Sequence, residues 1–590
     1  MLRAAARAGL PVSRISIRMK FVALRGSYHR PACSRGGDLV KAQPYRSLHR
    51  RRVAGIVAGL LCAAGCGPAF AGSFDIGNSL EAQYTLTLGY ALGLRTERPS
   101  DALINGPISP VTNLPTTVNN DDGDRNFKAG SLINNRVSAL GELVVSGTSY
   151  GVVLRGDAFY DNVYHRRNDN DSPGTVNKSG ANDAFTDGAR KYNGARVRML
   201  DAYVYGDANL GSMRLNARLG RQVVAWGESL FFSGVASAQG PADATKVNIA
   251  GVEVKNILLP VEQLALQFGI TEDLSLMGYY RLRYKATELE PAGSYYSTFD
   301  GIGPGAEFIY GFANPVYGVV PGATRTVNIQ RLNDLTPSNH GQYGIGLQYQ
   351  ATASTNVGVY WLRYHDTNPA VQLNFGYAQL APGVTTAPNA APVTYNVRYY
   401  DGIHMAGASF STKLGGANVA GEVSYRSGLD MLVNSAAGPV AARGRLSQAL
   451  LSTIYAMSPN AVSQEIDLIA ETGYVHVNGI AGGVSHLYND RSSWGVSTMA
   501  VLNYRNLFSR WDLAVPVTYA AIINGTPAMA GSFGTLYGEH DQRASIFANF
   551  TYLQNLQLGV GYNAFLGAAD LAKRPYADRD NVAINVKYSF

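Results

Sequence analysis

From about residue 80 onward, apolar and polar side chains alternate with a period of two. In "SYGVVLRGDAFYDN", Tyr150, Val152, Leu154, Gly156, Ala158 and Tyr160 share one face, while Arg155, Asp157 and Asp161 take the other. "DLSLMGYYRLRYK" sets Leu274, Leu276, Gly278, Tyr280, Leu282 and Tyr284 against Ser275, Tyr279, Arg281, Arg283 and Lys285. "ANVAGEVSYR" sets Val419, Val423 and Tyr425 against Glu422 and Arg426, and "NLQLGVGYN" sets Leu556, Leu558, Val560 and Tyr562 against Gln557 and Asn563. Successive side chains of a strand point to opposite faces, so this period predicts many strands, each with one apolar face. Helical stripes are scarce, and no stretch after residue 71 holds ~18 consecutive apolar residues, the minimum for a membrane-spanning helix.

A soluble β-sandwich alternates in the same way. Two features point elsewhere. Aromatic residues sit near the ends of the apolar faces, as interface girdles do. The connections also alternate in length. Short turns fall at 146–149, 208–212, 271–273, 353–356, 414–416, 458–461 and 553–555; long polar loops fall at 96–130, 164–194, 287–340, 366–394, 428–445 and 523–541. Short turns at one end and long loops at the other are the plan of an antiparallel outer-membrane β-barrel. The segments give about 18 strands, with 16 as the alternative, because even numbers are the rule for bacterial single-chain barrels.

Lipid offers no hydrogen bonds to an open sheet edge, so the first strand, 82–95, must pair with the last, "NVAINVKYSF". In that strand Val582, Ile584, Val586, Tyr588 and Phe590 are expected to face lipid, and Asn585 and Lys587 the lumen. A terminal aromatic on such a strand resembles the signal read by the outer-membrane assembly machinery. That machinery and outer-membrane lipid are therefore expected partners, and the cell outer membrane the expected location.

Composition agrees. Tyr (36) and Gly (65) are abundant and charged residues make up only 16%, which suits a turn-rich barrel with aromatic belts better than a soluble enzyme. The net charge of +8 is local: residues 1–52 carry +12 and the rest −4. No basic face remains for nucleic acid. The sequence "HRRR" at 49–52, followed by an apolar run ending in Ala69-Phe70-Ala71, reads as a secretory signal peptide. The expected division is 1–71, an N-terminal extension with a signal peptide, and 72–590, the barrel. Cys33, Cys62 and Cys66 all precede the expected cut, so thiol catalysis and cysteine-ligated metal are excluded beyond it.

The alternation breaks at 217–260, a stretch containing Arg218, Arg221, Trp226, Glu228, Asp243, Lys246 and Glu253. One reading is a loop folded into the barrel as a plug. A sharper one makes it a constriction, with Trp226, Phe231 and Phe232 as an apolar contact for a hydrophobic substrate and Arg221–Glu228 as a buried ion pair. By alternation Arg155, Arg214, Arg218, Arg281, Arg283, Lys285, Arg363 and Arg426 face inward, with Asp157, Glu422, Glu465, Asp467 and Glu471. Arg281, Arg283 and Lys285 on one face of one strand hint at anion preference. "NNDDGD" (119–124) reads as an Asx-rich turn with Gly123 at positive φ, or as an oxygen-rich Ca²⁺ loop through Asp121, Asp122 and Asp124. No histidine lies in a hydrolase or metalloprotease motif. His404 and Ser409 share a strand but fall on opposite faces, so no enzyme and no cofactor are expected.

The blocks "LGRQVVAWGE", "ILLPVEQLALQFGITEDLSLMGYYRLRY", "ELEPAGSYYSTFD", "NNDDGDRNF" and "DRDNVAINVKYSF" resemble an uncharacterised proteobacterial outer-membrane family that carries only a domain-of-unknown-function label. The resemblance covers nearly all of 72–590. It departs at Tyr364-His365-Asp366-Thr367, where the family has a "YHSR"-like segment, and at "PVTYAAIINGTP" (516–527), which lacks the family's Asp. It implies a barrel often encoded beside RND-type exporters and a periplasmic partner, and a link with lipids or other hydrophobic compounds. The resulting expectation is a channel or transporter for hydrophobic or amphipathic compounds, passive or coupled to a periplasmic lipid-handling protein. Its candidate residues are Arg218, Arg221, Trp226, Glu228, Phe231, Phe232, Arg281 and Arg283. An adhesion or structural barrel, and a barrel hydrolase, stand as the alternatives.

Overall fold

The computed structural model describes residues 72–590 apart from 78, 436, 437, 484 and 485. The expected signal peptide, in 1–71, lies outside the described residues. Eighteen antiparallel strands form one closed sheet. In chain order the first nine are Leu80–Arg95, Leu132–Ser146, Tyr150–Asp161, Ala195–Leu210, Met213–Gln222, Val261–Gly269, Leu274–Arg281, Tyr343–Thr352 and Thr355–Tyr364. The second nine are Ile403–Leu414, Ala417–Ser435, Gly438–Met457, Glu465–Ile480, Ser492–Phe508, Trp511–Asn524, Gln542–Tyr552, Leu556–Leu566 and Asn581–Ser589. Each pairs with its neighbour in sequence, and the first pairs with the last from Thr87↔Ser589 to Arg95↔Asn581. Phe590 N donates to Leu86 O at 2.9 Å. Lower on the same edge, the short strand Gly72–Ile76 pairs with Leu80–Tyr84. No sheet edge is left to lipid over the paired length, which is the condition a membrane imposes.

The register carries out the predicted alternation. Tyr150, Val423, Val560, Ile584 and Tyr588 point outward and are exposed, whereas Arg155, Glu422, Arg426, Glu471 and Asn585 point inward and are buried. Eight connections at one end are short: 147–149, 211–212, 270–273, 353–354, 415–416, 458–464, 509–510 and 553–555. The nine at the other end include the long segments 96–131, 162–194, 223–260, 282–342 and 365–402.

Three expectations change. The 428–445 segment is not a loop: strands Ala417–Ser435 and Gly438–Met457 run on together, past a bulge between Ser427 and Leu429 where Gly428 takes φ 90°. The long loops at 282–342 and 365–402 also build a sheet of their own. Its order is Ala370–Gly376, Ala391–Arg398, Thr326–Arg331 and Phe308–Ala313, with the middle pair parallel. Arg363 shares the outward face of Trp361 and donates to Gly341 O, because inward positions of its strand are Gly358, Tyr360, Leu362 and Tyr364.

"NNDDGD" is also not a positive-φ turn. Asp122–Arg125 is one helical turn. A Cβ on Gly123 would stand 2.6 Å from the carbonyl oxygens of Ser294 and Ser297, so close backbone approach explains that glycine. The three carboxylates diverge: Asp121 pairs with Arg125, Asp122 accepts from Asn177 N at 3.1 Å, and Asp124 pairs with Arg95 and Arg579 at 2.8 and 3.1 Å. Among the described residues no acidic or histidine cluster suits a metal ion. The segment instead ties the 96–131, 282–342 and 567–580 loops into a cap over Phe127, Tyr164, Phe185, Tyr295 and Tyr296.

Candidate functional site

The 223–260 loop crosses the lumen. It leaves strand Met213–Gln222 and reaches the far wall, where two inward glutamates receive it. Glu422 Oε1 accepts from Val235 N at 2.6 Å and its Oε2 from Glu228 N at 2.9 Å. Glu471 Oε1 accepts from Leu230 N at 3.0 Å, and its Oε2 from Phe231 N at 2.6 Å and Phe232 N at 2.8 Å. Five backbone N–H groups thus end on two carboxylates from opposite the loop's origin. Each would otherwise be an unmet donor inside the protein, at about 1–3 kcal/mol apiece. The fit is close: a Cβ at Gly234 would lie 1.7 Å from Glu422 Oε1, and Gly227 holds φ 96° beside Oε2. From the same wall Arg426 donates to Gly234 O at 2.9 Å.

Apolar packing seals this half. Trp226 lies between Tyr279 and Tyr360, with ring centroids 5.1 and 6.0 Å away. Phe232 meets Phe533 edge-on at 5.1 Å. Val235, fully buried, and Phe231 join the same cluster. Arg281, buried, donates to Ala238 O at 3.3 Å and to Gln342 Oε1 at 3.2 Å.

Charge holds the other half. Arg198 Nη2 meets Asp243 at 2.6 Å, its Nε meets Asp157 at 2.8 Å, and its Nη1 meets Glu288 at 2.7 Å. Lys246 pairs with Asp157. Arg155 donates to Asn256 Oδ1 at 3.2 Å, and Lys587 reaches Glu253 at 2.6 Å. Between this half of the loop and the wall lies a cavity of about 90 Å³, bordered by Thr87, Ser138, Leu140, Ile249, Val252 and Lys587.

The structure thus brings Trp226, Glu228, Phe231, Phe232 and Arg281 together. Arg218 lies mid-strand and exposed, on the lumen side by its register with Gln222. Arg221 does not pair with Glu228. It shares the outward face of Leu219 and bonds Glu262 Oε1 at 2.6 and 3.0 Å and Met199 O at 3.0 Å. The parity of its strand sends it out of the barrel. Arg283 is exposed because its strand ends at Arg281. Lys285 turns to Pro260 O, so the expected row of three cations does not form. The residues that sequence reasoning left without a role are Glu422 and Glu471. Alternation placed both inward, and an acid at a sealed inward position is the signal that it has a partner.

On the outer wall His476 Nδ1 and Ser492 Oγ are 2.7 Å apart, and Tyr474 OH donates to the same oxygen. Among the described residues no acidic side chain hydrogen-bonds the imidazole.

A closed eighteen-strand barrel with an apolar outer band and polar inward positions is a transmembrane barrel of the outer membrane. Residues 52–590 match the family model described as "Protein of unknown function (DUF1302)", and the chain belongs to that family. No curated protein matches the sequence. Similar solved structures include Acinetobacter baumannii OccAB1, 11% identical with TM-score 0.41, covering 86% of this chain and 96% of that one. OccAB4 of the same organism is 9% identical with TM-score 0.40, covering 86% and 98%. Pseudomonas aeruginosa OpdK, solved with vanillate, is 9% identical with TM-score 0.39, covering 86% and 98%.

Proposed function

We propose that this chain is an outer-membrane conduit for hydrophobic or amphipathic compounds, with the 223–260 loop as its constriction. The observation that carries the reading is the loop itself. It is clamped to opposite walls, yet it leaves a cavity between its charged half and strands Leu80–Arg95, Leu132–Ser146 and Asn581–Ser589. Ile249 and Val252 line the cavity beside the Lys587–Glu253 pair, so the gap left by the loop is bordered by both apolar and charged groups. Flux along this path is passive or driven by a periplasmic partner, such as an RND-type exporter with a lipid-handling protein. Replacing 223–258 by a short turn and recording single channels in planar bilayers tests it. Conductance should rise severalfold, and a conductance equal to the wild type would sink the constriction reading.

A further inference from the structure

The apolar outer wall of the barrel is interrupted by a polar row. Four consecutive strands, Thr355–Tyr364, Ile403–Leu414, Ala417–Ser435 and Gly438–Met457, carry Arg363, His404, Ser427 and Arg445 on the lipid side. Register sets them level: Arg363 opposes His404, His404 opposes Ser427, and Ser427 opposes Arg445. Neighbouring strands lie about 4.8 Å apart, so the two arginines stand roughly 14 Å from each other. The row is at the end of these strands that carries the long loops, which is the extracellular end. An outward cation costs most at the bilayer midplane and little near the interface, so the row sits at the level of lipid headgroups.

Two other cations near this rim are already neutralised. Arg221 bonds Glu262 at 2.6 Å. Arg443, one level above Arg445, bonds Asp401 at 2.8 Å and stands opposite Asp430. Arg363 gives one N–H to Gly341 O at 2.6 Å and keeps the rest of its guanidinium free of any carboxylate, and Arg445 is exposed. Among the described residues neither Arg363 nor Arg445 has an acidic partner. Directly beneath the row the outer wall is indented. Ala406, Ala408 and Ala449 stand where the flanking positions are Trp361, Tyr425 and Tyr474. Small beside large leaves a groove of about 500 Å³ between Tyr425 and Tyr474. The bilayer covers this face, so a lipid chain is what the groove meets, and the unpaired cations above it call for an anionic head.

We propose that this part of the wall holds one phosphorylated glycolipid of the outer leaflet, with an acyl chain in the groove and phosphates on Arg363 and Arg445. A guanidinium fork matches a phosphate through two parallel N–H···O bonds. The separation of the two arginines suits a headgroup phosphorylated at both ends, and His404 and Ser427 lie between them to meet its hydroxyls. Any barrel touches lipid along its whole wall; this row selects one lipid, at one place, by charge. The site faces away from the lumen, so it stands whether or not the conduit reading does.

The full-length barrel in detergent is titrated with bisphosphorylated lipid A and followed by native mass spectrometry. One lipid should bind the wild type roughly tenfold more tightly than the same lipid stripped of its phosphates. Arg363→Gln/Arg445→Gln should bind both lipids at the weaker level. Arg505→Gln, which removes an exposed cation at the short-turn end, should match the wild type. Inorganic phosphate at the lipid's concentration should not displace it. Equal affinity of the wild type for the two lipids overturns the proposal, and that comparison needs no variant. So does a double variant that binds like the wild type, or an Arg505→Gln loss as large as the double variant's, which would make the attraction one of general charge. Displacement by inorganic phosphate overturns the lipid as occupant. Heat-modifiable migration on a gel verifies that each variant barrel is assembled.

Discussion

Glu422 and Glu471 hold the 223–260 loop against the barrel wall, and they do so through its backbone N–H groups, not through side-chain partners. A carboxylate accepts several N–H donors at once; an amide offers a single oxygen. Glu471→Gln leaves part of the Leu230–Phe232 backbone without an acceptor and removes the charge that strengthens the remaining bonds. A loss of about 2 kcal/mol from the closed loop is expected, roughly a thirtyfold gain in open population. It reads out as longer open times in planar bilayers with an unchanged barrel. Gly234→Ala should act in the same direction, because its Cβ would displace the Glu422 carboxylate. Closed-state dwell times equal to the wild type in both variants would remove the latch from the account. On the outer wall the rule reverses. Ile584, 40% exposed near the middle of the closing strand, faces lipid. Ile584→Lys is expected to cost about 2–4 kcal/mol of folding free energy, and the same change at lumen-facing Asn585 far less. Urea titration of the folded barrel in lipid vesicles compares them.

Among the elements, the extracellular cap carries its own titration. Burial, and then the neighbouring Asp122, push Asp121 up to about 7 against the pull of Arg125. Burial likewise raises Glu290 to about 7, and the paired Asp122 and Asp300 shift upward for the same reason. Lys178 and Arg125 face Asp122, and Arg579 faces Asp300, without cancelling that cost. A raised carboxyl pKa means that the folded cap binds more protons than the opened one, so its stability falls as pH climbs from the usual carboxylate range through about 7. Amide exchange of 119–126 and 290–300, corrected for intrinsic rates, should therefore quicken between about pH 5 and about pH 8. Slower or equal exchange at the higher pH would contradict the sign.

For the whole molecule, barrel and constriction are separable. The pairings of all eighteen strands, including the closing pair, run without any residue of 223–260. The loop-deleted chain is therefore expected to assemble into a heat-modifiable barrel, checked by gel migration with and without boiling. Failure to assemble would mean that the apolar cluster around Phe232 and Val235 is needed for closure.

The scale of an interaction sets how much of it can be read from a chain. Period-two alternation is local, so strand existence, the side each residue faces and the alternation of turn and loop lengths were legible from residues such as Tyr150, Arg155 and Tyr588. Closure followed from chemistry that any edge in lipid must obey. What alternation cannot carry is where a strand stops and which distant group a side chain meets. Arg283 looked like the partner of Arg281 until the strand ended between them. Arg221 looked like the partner of Glu228 until parity turned it outward to Glu262. The 282–342 and 365–402 segments looked like plain loops because short, irregularly paired strands leave little periodic signal. The sequence by itself determined a closed outer-membrane barrel with a break at 217–260, since both arise from local pattern and from the cost of unpaired backbone in lipid. Only the tertiary structure decided that the break is a loop latched by Glu422 and Glu471, because those partners lie about two hundred residues away along the chain and are brought together by curvature of the sheet, which no local pattern encodes.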